Sequence, residues 1–251
     1  MTIAEILKEL EPYTGRFPML AMRAAVEQRA AITPELLRVL DSVAAAPSEW
    51  AGRTDNMLPM FAIFLLAQFR ERSAYRLLVK IVRAPGDVLF VLFGDTITQG
   101  LSQILASVYD GNTAPLQGLV ESEEVNEFVR SAAVKAFLVL EQTEQLPRET
   151  VLEYFGSLFH GKLERTPSFA WTGLVCAVAD LPAPELLEDV RQAYAEGLAA
   201  SRSCAPRPRA STLTRPLSPS LACRIHRAKY ALGQNIEGTM APLWQCRGDA
   251  H

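Results

Sequence analysis

Hydrophobic residues in the first two hundred positions recur with helical spacing, in segments that form pairs. Segments opening on Ser, Thr or Pro recur at intervals of about 34 to 40 residues. Ser and Thr are favoured at helix N-caps, and Pro is tolerated in the first helical turn. The predicted first helices therefore begin near Thr33, Ser73, Thr113, Pro147 and Pro184.

A second, more apolar helix is predicted between consecutive first helices. The clearest, 125–141, has apolar residues at 125, 128, 129, 132, 133, 136, 137 and 140, which places one stripe on one helix face. Segments 57–69 and 169–179 are apolar nearly all round, as in helices covered on several sides. The complete set of predicted second helices is 18–30, 55–70, 95–109, 125–141 and 167–180.

This pattern predicts an all-α fold of the α-α superhelix class, a HEAT/ARM-like solenoid of about five to six helix pairs. The stretch "GDTITQG" at 94–100 is then most simply a helix start, with Asp95 as its N-cap. An anion site at that helix start is the weaker alternative, because the spacing matches neither common phosphate-binding motif.

Charge divides the chain into two regions. Residues 1–200 contain 17 Lys and Arg against 26 Asp and Glu, whereas residues 201–251 contain 8 against 2. We therefore expect a helical-repeat domain over 1–200 and a basic, Pro/Arg-rich irregular tail over 201–251, with a short helix near 219–232. Three interpretations of the tail stay open: a flexible linker, an out-of-frame end, or a contact with nucleic acid or membrane.

Residues with chemical potential are scattered rather than arranged in motifs. The chain has 4 Cys without a CxxC pair and 3 His without a metal-binding partner pattern. His160 lies off the apolar stripe of its helix, so an exposed side chain is expected. The sequence accordingly predicts no catalytic, cofactor-binding or metal-binding residues and favours a non-enzymatic role.

Four residues are candidates for an interaction surface. Asn126 and Arg130 lie on the polar side of a predicted second helix, where a bond between neighbouring repeats is the default role for the arginine and a partner surface is the other. Trp50 follows a loop and can anchor a partner or plug the loop locally. Asp95 marks a helix start near a groove between hairpins.

Three long blocks resemble a bacterial family called domain of unknown function 1186. They are "MFAIFLLAQFRERSAYRLLVKIVRAPG" (60–86), the block 92–140 that ends in "VRSAAVKAFLVL", and "RETVLEYFGSLFHGKLERTPSFAWTGLVCAVADL" (148–181). With its flanks the resemblance covers about residues 1–200. It implies a HEAT-like helical protein without assigned catalytic residues. Some members end in a cysteine-rich zinc motif, and this chain departs from them there.

The favoured function is a non-enzymatic scaffold or adaptor that binds another protein or peptide. The alternative is an enzyme or small-ligand binder with its site in a groove between hairpins. Nucleic-acid binding is not expected except through the basic tail, because residues 1–200 are acidic. The N-terminus does not resemble a secretory signal, and the longest apolar stretch has 13 residues, so a cytoplasmic protein without a membrane contact is expected.

Overall fold

The structure is a computed structural model that describes residues 1–53, 55–181 and 183–199. These residues form two compact units, one spanning Met1–Pro115 and the other starting at Leu116. Apart from an isolated antiparallel bridge between Pro12 and Asn56, the described residues form no β-structure. The all-α prediction is confirmed, whereas the predicted tail and its helix lie outside the described residues.

Among the described residues, nine helices precede residue 114. They are α1 (Ile3–Leu10), α2 (Met19–Glu27), α3 (Arg29–Ala45), α4 (Pro47–Ala51), α5 (Leu58–Phe69), α6 (Ala74–Ile81), α7 (Val88–Phe93), α8 (Thr96–Gln99) and α9 (Leu101–Ser107). Helix α3 packs against both α5 and α6, and α5 also contacts α9. Every residue of α5 except Gln68 is buried, as its apolar composition predicts.

Five further helices follow within the described residues. They are α10 (Ala114–Glu121), α11 (Glu127–Gln142), α12 (Arg148–Ser157), α13 (Phe169–Asp180) and α14 (Leu187–Ala195). A π-helical turn at Leu158–Lys162 ends α12, and a 3-10 turn at Pro184–Leu186 leads into α14. The predicted first and second helices of the repeat therefore correspond to observed helices throughout this part of the chain.

Two predicted helices differ from the structure, one in where it begins and one in its continuity. Helix α3 begins at Arg29 rather than at Thr33, and Pro34 lies inside it. The Thr33 hydroxyl donates to the carbonyl of Arg29 at 2.7 Å instead of capping the helix. The predicted helix 95–109 is divided at Gly100 into α8 and α9, although backbone hydrogen bonds continue across the division. Its predicted apolar stripe is nevertheless buried, at Ile97, Leu101, Ile104, Leu105 and Val108.

Helices α11 and α13 run parallel and pack closely along their length. The first residues of the two helices meet, since the Glu127 carboxylate accepts a hydrogen bond from the Phe169 amide at 2.6 Å. One turn further along both helices, Gly173 faces Ser131 so closely that a Cβ on the glycine would lie 2.9 Å from the Ser131 Cα. Both contacts join residues that are 42 positions apart, so the two helices are in register.

None of the helices formed by the described residues combines the length and the apolar character needed to cross a bilayer.

Candidate functional site

Arg130 is a buried side chain whose hydrogen bonds connect three segments of the second unit: α11, the end of α10 and the loop before α13. Its side chain lies in α11 and the residue is only 3% exposed. Its Nε donates to the backbone oxygen of Val120 at 2.9 Å, in the last turn of α10. Its Nη1 donates to Glu164 Oε1 at 2.7 Å, and Nη2 bonds to the other oxygen of the same carboxylate. These contacts fit the default interpretation of Arg130, a bond to a neighbouring segment, and leave no exposed surface at this side chain for a partner.

Glu164 is held as an anion by this contact. Burial by itself would raise the pKa of Glu164, but the hydrogen bonds and positive charge of Arg130 outweigh it, so the pKa is lowered. The indole Nε1 of Trp171 donates to the Glu164 backbone oxygen at 2.7 Å, which fixes the loop that carries the carboxylate. A buried bidentate pair of this kind orients neighbouring elements rather than offering a free charge to a ligand.

Asn126 also serves the fold. It is half-buried at the N-terminus of α11, and its side-chain oxygen accepts a hydrogen bond from the Phe128 amide at 3.0 Å. The Phe128 ring packs on the Phe169 ring with centroids 4.7 Å apart. The structure therefore places Asn126 at the N-cap of the helix that contains Arg130, but Asn126 caps its own helix whereas Arg130 joins neighbouring segments.

The two candidates in the first unit have different environments. Asp95 is exposed and its carboxylate makes no capping hydrogen bond, so the predicted N-cap interaction is absent. Trp50 is only 8% exposed, its Nε1 donates to Ser42 Oγ at 3.1 Å, and the Arg53 guanidinium lies 4.2 Å from the ring centroid. These contacts fit the favoured interpretation of Trp50 as a local plug and not that of an exposed anchor for a partner.

A surface cleft of about 300 Å³ lies between the π-helical turn and α14. It is lined by Phe159, His160, Gly161, Arg165, Asp189 and Gln192. The His160 side chain is 67% exposed, which confirms the expected exposure, and its Nε2 lies 3.0 Å from Asp189 Oδ1. Gly161 has a φ of +118°, a backbone conformation available to glycine, and this lets the chain turn away at the cleft.

Fixed polar groups surround the His160–Asp189 pair. Arg165 Nη1 donates to the backbone oxygen of Phe159 at 3.0 Å, and its Nη2 forms an ion pair with Glu196. Gln192 Nε2 donates to the same Glu196 carboxylate at 2.8 Å. An imidazole oriented by a carboxylate can accept or donate a proton, and a positioned guanidinium can bind an anionic group. No sequence signal points to this cleft, because His160 and Asp189 are 29 residues apart and no motif links them.

Acids outnumber cations in the second unit, and most of the cations are paired with acids. Residues 116–199 contain 6 Lys and Arg against 14 Asp and Glu. Five of the six cations form ion pairs with acids of the same unit: Arg130, Arg148, Lys162, Arg165 and Arg191. The sixth, Lys135, is half-buried, and burial lowers its pKa. The described residues contain no group of three or more His, Cys, Asp or Glu side chains placed to hold a metal ion.

These features define an all-helical protein in which polar side chains such as that of Arg130 join neighbouring helical segments. The chain belongs to the family described as protein of unknown function (DUF1186), whose model matches residues 1–205. The family resemblance found in the sequence is thereby confirmed.

Two relatives come from Chlamydia. An uncharacterized protein of Chlamydia trachomatis serovar D is 37% identical over 198 residues, which cover 79% of this chain and 78% of that protein. An uncharacterized protein of Chlamydia muridarum is 35% identical over 198 residues, covering 79% of each chain. No solved structure matches the chain significantly.

Proposed function

We propose that this chain is a cytoplasmic, non-enzymatic scaffold or adaptor whose helix pairs over 1–200 stack as a HEAT-like solenoid and bind another protein. The single observation that carries the proposal is the parallel packing of α11 and α13, in register at a 42-residue offset. Two successive second helices pack side by side in this way when helix pairs stack in one direction.

Stacked pairs leave the first helices with an outward side. In α12 the exposed positions include Glu149, Thr150 and Glu153, whereas Val151 and Phe155 are buried. In α6 the exposed positions are likewise polar, and Tyr75 and Leu78 are buried. Within either unit, such sides form a polar surface that suits a protein or peptide partner.

Site-specific photo-cross-linking in the cells that encode the chain tests this proposal. A photoreactive residue is placed at Glu35 of α3 or Arg76 of α6 in one unit, and at Gln117 of α10 or Glu153 of α12 in the other. We expect one partner protein to cross-link at both positions of at least one unit. Ala179, exposed on α13, is the control position, because it lies on a second helix. A chain that cross-links to no protein at any first-helix position would refute the proposal.

A second candidate function, a small-ligand binder or enzyme, is favoured by the cleft at His160 and Asp189. The cleft places a proton-transfer group, a guanidinium and an amide around one space of about 300 Å³. A metabolite screen read by thermal stabilisation tests it, with Asp189→Asn as the cleft variant and Glu149→Gln as the surface control. A ligand that stabilises the wild type and the control, but not Asp189→Asn, would support this function. Equal stabilisation of all three proteins would place the ligand elsewhere.

A further inference from the structure

The outer face of α6 carries a row of cations. Arg72, Arg76, Lys80 and Arg83 are all exposed, at positions i, i+4, i+8 and i+11. This spacing places them on one side of the helix and its flanking turns, over a length of about 16 Å. Among residues 72–83, Ser73 is the one exposed residue that is not a cation. This side of the helix and its flanking turns therefore carries no exposed acid. We call these four residues the basic stripe.

The basic stripe is hardly compensated within the fold. Arg76 Nε lies 3.4 Å from Asp110 Oδ2, and this exposed contact is the one ion pair that the stripe makes to a described residue. The neighbouring Glu71 is engaged at the start of α6, where its carboxylate accepts a hydrogen bond from the Ser73 amide at 3.2 Å. On the adjacent α3, Glu35 pairs with Arg38. Like charges four residues apart destabilise a helix, so the stripe is not explained by helix stability.

We propose that the basic stripe binds an acidic segment of a partner protein. This inference rests on the proposed protein-binding function and gives the partner its chemistry. Cations four residues apart are separated by about 6 Å along a helix axis, and carboxylates four residues apart on a helical partner repeat at the same distance. Several partly exposed ion pairs can then form together along one line. They fix the alignment of the partner segment along the stripe as well as attracting it.

The charge of the whole described chain favours a protein partner over a nucleic acid. Residues 1–200 contain 17 cations against 26 acids, so a long polyanion is repelled wherever it extends beyond the stripe. The exposed side of α6 presents no aromatic ring on which a base can stack, since Tyr75 is buried. It also presents no exposed apolar side chain to enter a bilayer, because Leu77 is half-buried. A short acidic protein segment need not extend beyond the stripe, and it requires neither an aromatic ring for stacking nor an apolar side chain for insertion.

Fluorescence anisotropy with the full-length chain tests the inference. The probe is a labelled 16-residue helical peptide with Glu at every fourth position, measured at low and at physiological salt. We expect saturable binding that weakens with salt, and a loss of about tenfold in affinity for Arg72→Glu/Lys80→Glu, because two attractive contacts become repulsive. Both substitutions are at exposed positions, and circular dichroism checks that the variant is folded.

A matched control separates the stripe from net charge. Arg38→Glu/Arg191→Glu makes the same change in charge at exposed positions outside the stripe, and its affinity should stay within about twofold of the wild type. Equal losses in both variants, or no binding of the peptide, would refute the stripe as a docking site. Tighter, stripe-dependent binding of a duplex DNA or of phosphatidylglycerol vesicles would replace the protein partner with that class of ligand.

The result can be distinguished from failure of the proposed function. A partner protein that cross-links equally well to the stripe variant would refute the basic stripe and leave protein binding intact. Loss of that cross-link in the stripe variant but not in the control would support both. Absence of every cross-link would refute protein binding and, with it, the partner assigned to the stripe.

Discussion

Substitution of Gly173 by alanine tests how closely α11 and α13 pack. A Cβ at this position would lie 2.3 Å from Ser131 Oγ and 2.9 Å from Ser131 Cα. The serine hydroxyl can rotate away, but the Cα belongs to the backbone of α11. The two helices must therefore separate by several tenths of an ångström to accept one methyl group.

The expected magnitude follows from two opposing effects. Adding a methyl group to a close-packed contact costs about 1–3 kcal/mol. Replacing a glycine inside a helix by alanine returns about 0.5–1 kcal/mol, because the unfolded chain loses conformational freedom. We expect Gly173→Ala to lower the free energy of unfolding by about 1–2 kcal/mol.

Gly156→Ala is a matched control in the same unit. Gly156 lies in α12, and a Cβ there would meet only Leu186 Cδ2, at 3.7 Å, which is an ordinary contact. This variant should gain about 0.5–1 kcal/mol. Urea unfolding, followed by amide hydrogen exchange in α11 and α13, measures both variants. A Gly173→Ala chain that is as stable as the wild type, with Gly156→Ala behaving as expected, would refute the close packing.

Three further predictions concern polar residues. Arg130→Met should lower the free energy of unfolding by about 3–5 kcal/mol in urea, because it leaves Glu164 buried and charged, and adding Glu164→Met should recover part of the loss; an additive loss would contradict the pairing. The folded-state pKa of Glu164 is lowered from 4.5, so its stabilising contribution is present above pH 4.5 and is lost as the pH falls through the folded pKa. Glu164→Gln should therefore flatten the acid side of a curve of unfolding free energy against pH. An unchanged acid side would show that this carboxylate is not responsible for the loss of stability. Asn126→Ala should cost about 1 kcal/mol in thermal unfolding because it removes an N-cap, whereas Asp95→Ala should change stability by less than about 0.5 kcal/mol, and equal effects would contradict the assigned capping.

The apolar pattern predicted the helices because each helix must bury its own stripe. The stripe of 125–140 is buried in α11 except for the half-buried Phe128, and the all-round apolar segments became the buried helices α5 and α13. Helix starts were less predictable. Thr33 and Pro34 carry the residue types of a start, yet α3 begins four residues earlier. Pro34 lacks a backbone donor and its ring crowds the carbonyl four residues earlier, but burial of Ile32 and Leu36 on one face favours continuing the helix through it.

The candidate sites depended on tertiary structure, because a polar residue's role depends on where its partner lies. The sequence placed Arg130 on a polar helix side, but Glu164, 34 residues later, makes that side an interior contact. The sequence likewise left Trp50 as either a partner anchor or a local plug. The contacts of its ring with Ser42 and Arg53 favour the plug. No sequence motif predicts the pairing of His160 with Asp189, which lie 29 residues apart.

The sequence by itself determined that this protein is helical and acidic over its first two hundred residues, since periodicity and charge are local properties of a chain. Only the tertiary structure decided which charged side chains are paired inside the fold and which remain exposed on its surface. A helix repeats every 3.6 residues whatever its neighbours are, but an ion pair exists only when packing brings two distant side chains within a few ångströms.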